Sequence, residues 1–122
     1  MSHQRVVILG ASHNPERYSY KAMKVLQEHG HETVLVNRGV TEIEGQPVLA
    51  DIGDVTGPVD TLTLYVKEEV SGLLTDKILA LKPGRVIFNP STKNIRLMMA
   101  LDEADIPWID GCTIVMLKSG QF

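Results

Sequence analysis

Apolar residues fall along this chain in short β-branched blocks, separated by stretches with a helical period. Val6-Val7-Ile8-Leu9 is continuous and closes on Gly10, which predicts a strand over residues 5–10 covered on both faces. Asn14-Pro15 then predicts an N-cap and a first helical position. The helix that follows keeps Tyr18, Ala22, Val25 and Leu26 on one side until Gly30, just after His29, stops it. Thr33-Val34-Leu35-Val36 reads as a second buried strand. Strand, helix and strand within about thirty residues make a βαβ unit, right-handed on general grounds and half of a Rossmann-like fold.

The second half repeats that alternation less regularly. Residues 38–59 are rich in Gly and Pro, so turns are expected, with a short edge strand near Pro47 to Leu49 and a loop or single helical turn over 51–57. Asp60 to Val66 predicts a strand, and Glu68 to Leu81 a helix with Val70, Leu74, Ile78 and Leu81 inward. Arg85 to Phe88 predicts the next strand, after Pro83-Gly84. Thr92 to Ala104 predicts a helix capped by Ser91 or Thr92, with Ile95, Met98, Met99 and Asp102 on the 3.6 period. A strand at Pro107 to Asp110 follows, and Cys112 to Phe122 fits either a short strand or a helical turn. No internal repeat interrupts the pattern, so residues 1–122 are expected to form one α/β domain, a Rossmann-like, doubly wound, mostly parallel sheet between two helical layers.

Bulk properties narrow the partners. At 122 residues the chain suits one domain with an ordinary core, and leaves no room for a second, catalytic one. Its 12 Lys and Arg are scattered and the formal net charge is −3, which argues against nucleic acid and against a polybasic membrane surface. No apolar run is long enough to cross a bilayer, and Met-Ser-His-Gln-Arg leads straight into the first strand without a signal-peptide pattern. One cysteine, Cys112, excludes an internal disulfide framework and suits a cytoplasmic location.

The chemistry concentrates where the first strand ends. Gly10-Ala11-Ser12, with Pro15 opening a helix, is how an α/β protein presents backbone N–H groups to a phosphate. The dinucleotide fingerprint G-x-G-x-x-G keeps only its first glycine here, and Asn37-Arg38 stands where NAD enzymes place an acid on the ribose. An arginine there favours a phosphorylated ribose, as in NADP or coenzyme A; Asn37-Arg38-Gly39 is equally readable as a plain turn. Arg17 in a first helical turn opposes the helix dipole unless an anion lies between them or Glu16 offsets it. Ser12 is either a phosphate donor or a turn hydroxyl capping its own backbone.

The run Gly10-Ala11-Ser12, Pro15, Arg17-Tyr18-Ser19-Tyr20-Lys21-Ala22, Gly30-His31 and Val36-Asn37 resembles the small stand-alone CoA-binding proteins. Ile43-x-Gly45, Val59-Asp60, Leu64-Tyr65-Val66 and Val86-Ile87-Phe88-Asn89-Pro90 continue the likeness almost to the C-terminus. Such domains are similar to the N-terminal CoA-binding domain of the succinyl-CoA synthetase alpha subunit. The resemblance implies CoA, or an acyl-CoA, across the carboxyl ends of the strands. It makes Gly10, Ala11 and Ser12 the phosphate loop, with Arg17 and Ser19 flanking it and Asn37 by the adenosine. Leu64, Tyr65 and Val66 would then line the crevice, with Asn89 and Pro90 on its far wall. Two departures stand out: Arg38 where the family usually has Pro, and Ser91-Thr92-Lys93-Asn94 where it often has Gly-Thr-Glu-Asn.

No catalytic set is recognisable. The synthetase's phosphorylated histidine belongs to a second domain, so that role is not transferred to any of the four histidines here. His13 adjoins the cradle as a polar loop residue or an acid–base group. His29 and His31 lack the partners that zinc needs, so no metal is expected. Cys112 reads as packing or as a contact for the pantetheine arm. The expectation is a small-molecule nucleotide binder, compatible with a homodimer, without catalysis of its own. The alternatives are a small NADP-dependent reductase or reductase subunit, and an interaction module with a vestigial cleft whose Trp108, Met98 and Met99 bury against a partner.

Overall fold

In the computed structural model, which describes residues 3–122, strand β1 (Arg5–Leu9) is the centre of the sheet. Val6, Val7 and Ile8 are fully buried. Alternate side chains feed two cores: Val7 and Leu9 one, Val6 and Ile8 the other. That is why the run reads as continuously apolar. Met1 and Ser2, which begin the stretch read as lacking a leader, lie outside the described residues.

The chain passes from β1 through α1 (Tyr18–Glu28) to β2 (Glu32–Val36), then through β3 (Glu42–Ile43) and β4 (Gln46–Leu49) to a 3-10 turn at Ile52–Asp54. It returns across the sheet to β5 (Thr61–Leu64) and continues through α2 (Glu68–Leu73), α3 (Thr75–Leu81), β6 (Arg85–Phe88), α4 (Ile95–Glu103), β7 (Trp108–Asp110) and α5 (Thr113–Lys118). The strand order is β3-β4-β2-β1-β5-β6-β7, parallel throughout except for the β3–β4 pair. Helices α1 and α5 pack together over the core of Val6 and Ile8, and α2, α3 and α4 over that of Val7 and Leu9. The expected doubly wound α/β architecture is therefore present. Winding reverses between β1 and β5, the switch point where open sheets of this kind open a crevice at their carboxyl edge.

Several boundaries differ from the expectation, for reasons the local chemistry explains. Asn14 and Pro15 do not begin α1: the Asn14 side chain accepts from the Glu16 N–H at 2.9 Å and its carbonyl from the Arg17 N–H at 3.0 Å, a turn with proline in its second place. The helix starts one turn later, so its buried stripe is Ser19, Ala22, Met23 and Leu26, and Tyr18 is exposed. Likewise neither Ser91 nor Thr92 caps α4. The Thr92 hydroxyl closes a turn on the Asn89 carbonyl at 2.7 Å, and Asn94 caps, accepting from the Leu97 N–H at 3.0 Å. Its amide also donates to the Ser71 hydroxyl of α2 at 2.8 Å. Leu97, Met98 and Leu101 face inward from α4, whereas Ile95 and Met99 are exposed.

The single helix expected over 68–81 breaks at Leu74 into α2 and α3; Ser71 and Ile78 are buried, and Val70 is exposed. The segment near Pro47 is not the edge, because β3 pairs outside it. The C-terminal stretch is helical. Among the described residues no helix is long and apolar enough to cross a membrane.

His31 closes the amino-terminal edge of the sheet. It is 6% exposed, its Nδ1 accepts from the Gln4 N–H at 3.0 Å, and its Nε2 is buried without a partner. Burial, together with repulsion from His3, His29 and Arg85, holds its imidazole below the ordinary value. The folded protein thus takes up this proton less readily than the unfolded chain. The stabilisation is complete above the ordinary histidine value of about 6.5 and is lost as pH falls below it. We expect urea midpoints to decline between about pH 7 and pH 5. His31→Asn, which keeps an acceptor for Gln4, should flatten that decline; an unchanged profile would exclude His31 as its source.

Candidate functional site

The crevice begins with a tight departure from β1. Gly10, at φ +94°, and Ala11 both donate to the Val36 carbonyl of β2, at 2.9 and 3.1 Å. A Cβ on Gly10 would stand 2.8 Å from the Tyr65 carbonyl oxygen and 2.9 Å from Val66 Cγ1, so only glycine lets the loop pass so close to the end of β5. The amides of Gly10 and Ala11 are therefore engaged internally and are not the phosphate donors expected of them. Those of Ser12 and His13, and those of Tyr18, Ser19 and Tyr20 in the first turn of α1, have no protein acceptor among the described residues. The Ser12 hydroxyl accepts from the Asn14 N–H at 3.0 Å, the turn-capping role, which leaves its proton free to donate.

A cleft of about 1130 Å³, somewhat larger than an ordinary small-molecule site, opens beside Ser12, Tyr18 and Ser19. Gly10, Ser12, Arg17, Ser19, Asn37, Arg38, Tyr65, Val66, Asn89 and Pro90 line it. Ala11, Pro15 and Leu64 do not: Ala11 and Leu64 pack into the two cores, and Pro15 sits exposed on the turn before α1. His13 is exposed and likewise outside the lining.

The β2 side of the cleft is polar. Asn37 acts on the protein itself, its amide donating to the Ala11 carbonyl while its Oδ1 accepts from the Gly39 N–H at 2.9 Å. It holds the β1 loop against the end of β2 with Arg38 next to it. Asp51, in a stretch to which the sequence reading gave no role, also lines this side; the Lys77 ammonium holds its carboxyl below the ordinary range. Arg17, Arg38 and Lys67 line the cleft without an ion pair among the described residues, with the carboxylates of Glu16 and Asp51 in the same lining.

The opposite side rests on Asn89. This residue is 2% exposed, and its amide donates to Thr63 Oγ1 at 2.6 Å and to the Leu64 carbonyl at 2.9 Å. Its Oδ1 accepts from the Thr113 N–H at 2.9 Å, and the Thr63 and Thr113 hydroxyls meet at 2.8 Å. Asn89 thus ties β5, β6 and the start of α5 together beneath the cleft and brings Cys112, Ile114 and Val115 to its wall. Tyr65 has a buried hydroxyl without a hydrogen-bond partner, and burial pushes its phenol up to about 12. Val70, Leu73 and Leu74 complete this wall. Their apolar character made Val70 and Leu74 look like core positions in the sequence; Leu74 does pack against the core while also lining the crevice, whereas Val70 is exposed there.

Two substitutions test this construction. Asn89→Ala should lower stability by about 2–4 kcal/mol in urea titrations, since it opens a buried polar network. Gly10→Ala should cost about 2 kcal/mol through a positive φ and a backbone clash. Losses under about 0.5 kcal/mol, the size of a neutral surface change, would contradict both roles.

Comparison with known proteins agrees with this fold. A solved structure described as an uncharacterized protein superposes with a TM-score of 0.94 at 40% identity, over 100% of both chains. The cell-free ID.343 structure from Thermus thermophilus gives 0.89 at 28%, over 98% of this chain and 91% of that one. A hypothetical protein from Pyrococcus horikoshii OT3 gives 0.88 at 24%, over 96% and 83%, a likeness of fold. In sequence, 66 residues, 54% of this chain, are 27% identical to the uncharacterized protein YneT of Bacillus subtilis (strain 168) and cover 49% of it, so the match spans about half the length of that relative. The family described as "CoA binding domain" matches residues 4–118, nearly the whole of the sheet and its crevice. On that match, this chain belongs to the CoA-binding domain family.

Proposed function

We propose that the cleft binds coenzyme A or one of its thioesters, as a binding module without a reaction of its own. The observation that carries this reading is the coincidence, at the switch point of the sheet, of unpaired loop and helix amides with two cations, Arg17 and Arg38, that make no ion pair among the described residues. Phosphate groups neutralise the cations and accept from the amides. Membership of a CoA-binding family then favours CoA over other phosphorylated nucleotides. In this reading Arg38 meets the 3′-phosphate of the ribose, and the Gly10-Ala11-Ser12 turn shapes the pyrophosphate seat while Ser12 and the start of α1 supply its donors. The reading without a catalytic step is supported by His13, the histidine nearest the loop, which stands outside the cleft lining.

A thermal-shift series with CoA, NADP and NAD tests the proposal. Ligand at about one hundred times its dissociation constant stabilises the folded state by about 2.7 kcal/mol, a shift of several degrees in a domain of this size. CoA should produce it, and the other two should not; a shift with NADP alone would replace this reading by a reductase. Arg38→Ala should weaken CoA by about tenfold and dephospho-CoA by less than about twofold, as loss of one charge-assisted contact predicts. Equal losses would place the 3′-phosphate elsewhere.

A further inference from the structure

We infer that the cleft is built for an acyl thioester of CoA in preference to free CoA, with the acyl chain held between α2 and α5. This rests on the CoA reading above and assigns the other end of the same site. The cleft is graded along the sheet edge. Over β1, β2 and β4 its wall carries Glu16, Arg17, Arg38 and Asp51, whereas over β5, β6 and β7 Lys67 is the one charged residue of the lining among those described. With the phosphates at the charged end, the pantetheine arm must run toward the other. There the wall carries, besides Ser91 and Thr92, the branched aliphatic side chains of Val70, Leu73, Ile114 and Val115. Leu73 is 86% exposed, Val115 61% and Val70 44%, although each lines the cavity.

These residues come from helices on opposite faces of the sheet, α2 with the core of Val7 and α5 with that of Val6. They therefore form two sides of a slot continuous with the nucleotide seat. The hydrophilic arm of free CoA, ending in a thiol, would leave much of this apolar surface in water, whereas an aliphatic acyl group removes it. The exposed positions have no other cover within the described chain, and continuity with the nucleotide cleft identifies the occupant.

Calorimetric titration of the full chain with free CoA, acetyl-CoA, butanoyl-CoA and hexanoyl-CoA tests this. Affinity should rise by about two- to fourfold per added methylene until the slot is filled, with an increasingly negative heat-capacity change. In Leu73→Ser/Val115→Ser, and to a lesser degree in each single variant, the ratio of hexanoyl-CoA to free CoA affinity should fall toward one. Both positions are exposed, so the fold tolerates the change, and circular dichroism checks it. Equal or weaker binding of the acylated ligands overturns the inference while leaving the CoA reading intact. No binding of any of the four ligands overturns that reading as well. A chain-length gain that survives the double variant places the acyl group elsewhere and overturns the slot. Sedimentation in parallel covers the remaining occupant: a wild-type dimer that the double variant converts to monomer would show a second copy on this wall, and would also overturn it.

Discussion

The carbonyl of Val36 accepts from two successive amides, those of Gly10 and Ala11, and this shared acceptor fixes how the chain leaves the centre of the sheet. Because the loop is held to β2 after β1 has ended, it must cross close to the carbonyl of Tyr65, and only a residue without a Cβ fits there. The winding of the sheet reverses at the same place. The crevice is thus a consequence of how three strand ends are joined, and the unpaired amides of Ser12, His13 and the first turn of α1 are what remains once that junction is made.

Around this junction the protein divides its polar side chains between construction and contact. Asn37, Asn89 and Asn94 all hold backbone to backbone or helix to helix. Asparagine suits the task because one side chain carries both a donor pair and an acceptor, so it can bridge segments that no regular hydrogen-bond ladder joins. The charged residues at the rim, Arg17, Arg38 and Lys67, are left without protein ion-pair partners among the described residues. Neutral amides organise the interior, and full charges stay where a ligand or water can meet them, as the cost of burying an unpaired charge requires.

The sequence disclosed the strands well, because β-branched runs such as Val6 to Leu9 and Arg85 to Phe88 have few other uses in a small α/β domain. Helix starts were less legible. Asn14-Pro15 and Ser91-Thr92 carry the chemistry of a cap and of a turn alike, and in both places the turn won and the helix began a few residues later. The loop after β1 does leave amides unpaired, but which ones depends on a bond to Val36, a partner that position along the chain does not reveal. Asn89 was picked out as a wall residue, yet its partners at Thr63 and Thr113 lie 26 and 24 residues away, so its structural office became visible only in three dimensions. Met98 fills the core and Trp108 stacks edge-on to Phe88 at 5.9 Å, which leaves Met99 alone of that proposed partner surface strongly exposed.

The tie from Asn89 to Thr113 has one more implication. Because α5 follows every strand of the sheet in chain order and supplies part of the cleft wall, that wall is incomplete until residues near 113–118 have docked on β5 and β6. During synthesis the earlier strands can pair before this helix emerges, but they would offer only an open ledge. Occupancy of the site is therefore a property of the finished fold, and a bound molecule adds its stabilisation to the whole cooperative unit instead of to any fragment that unravels separately.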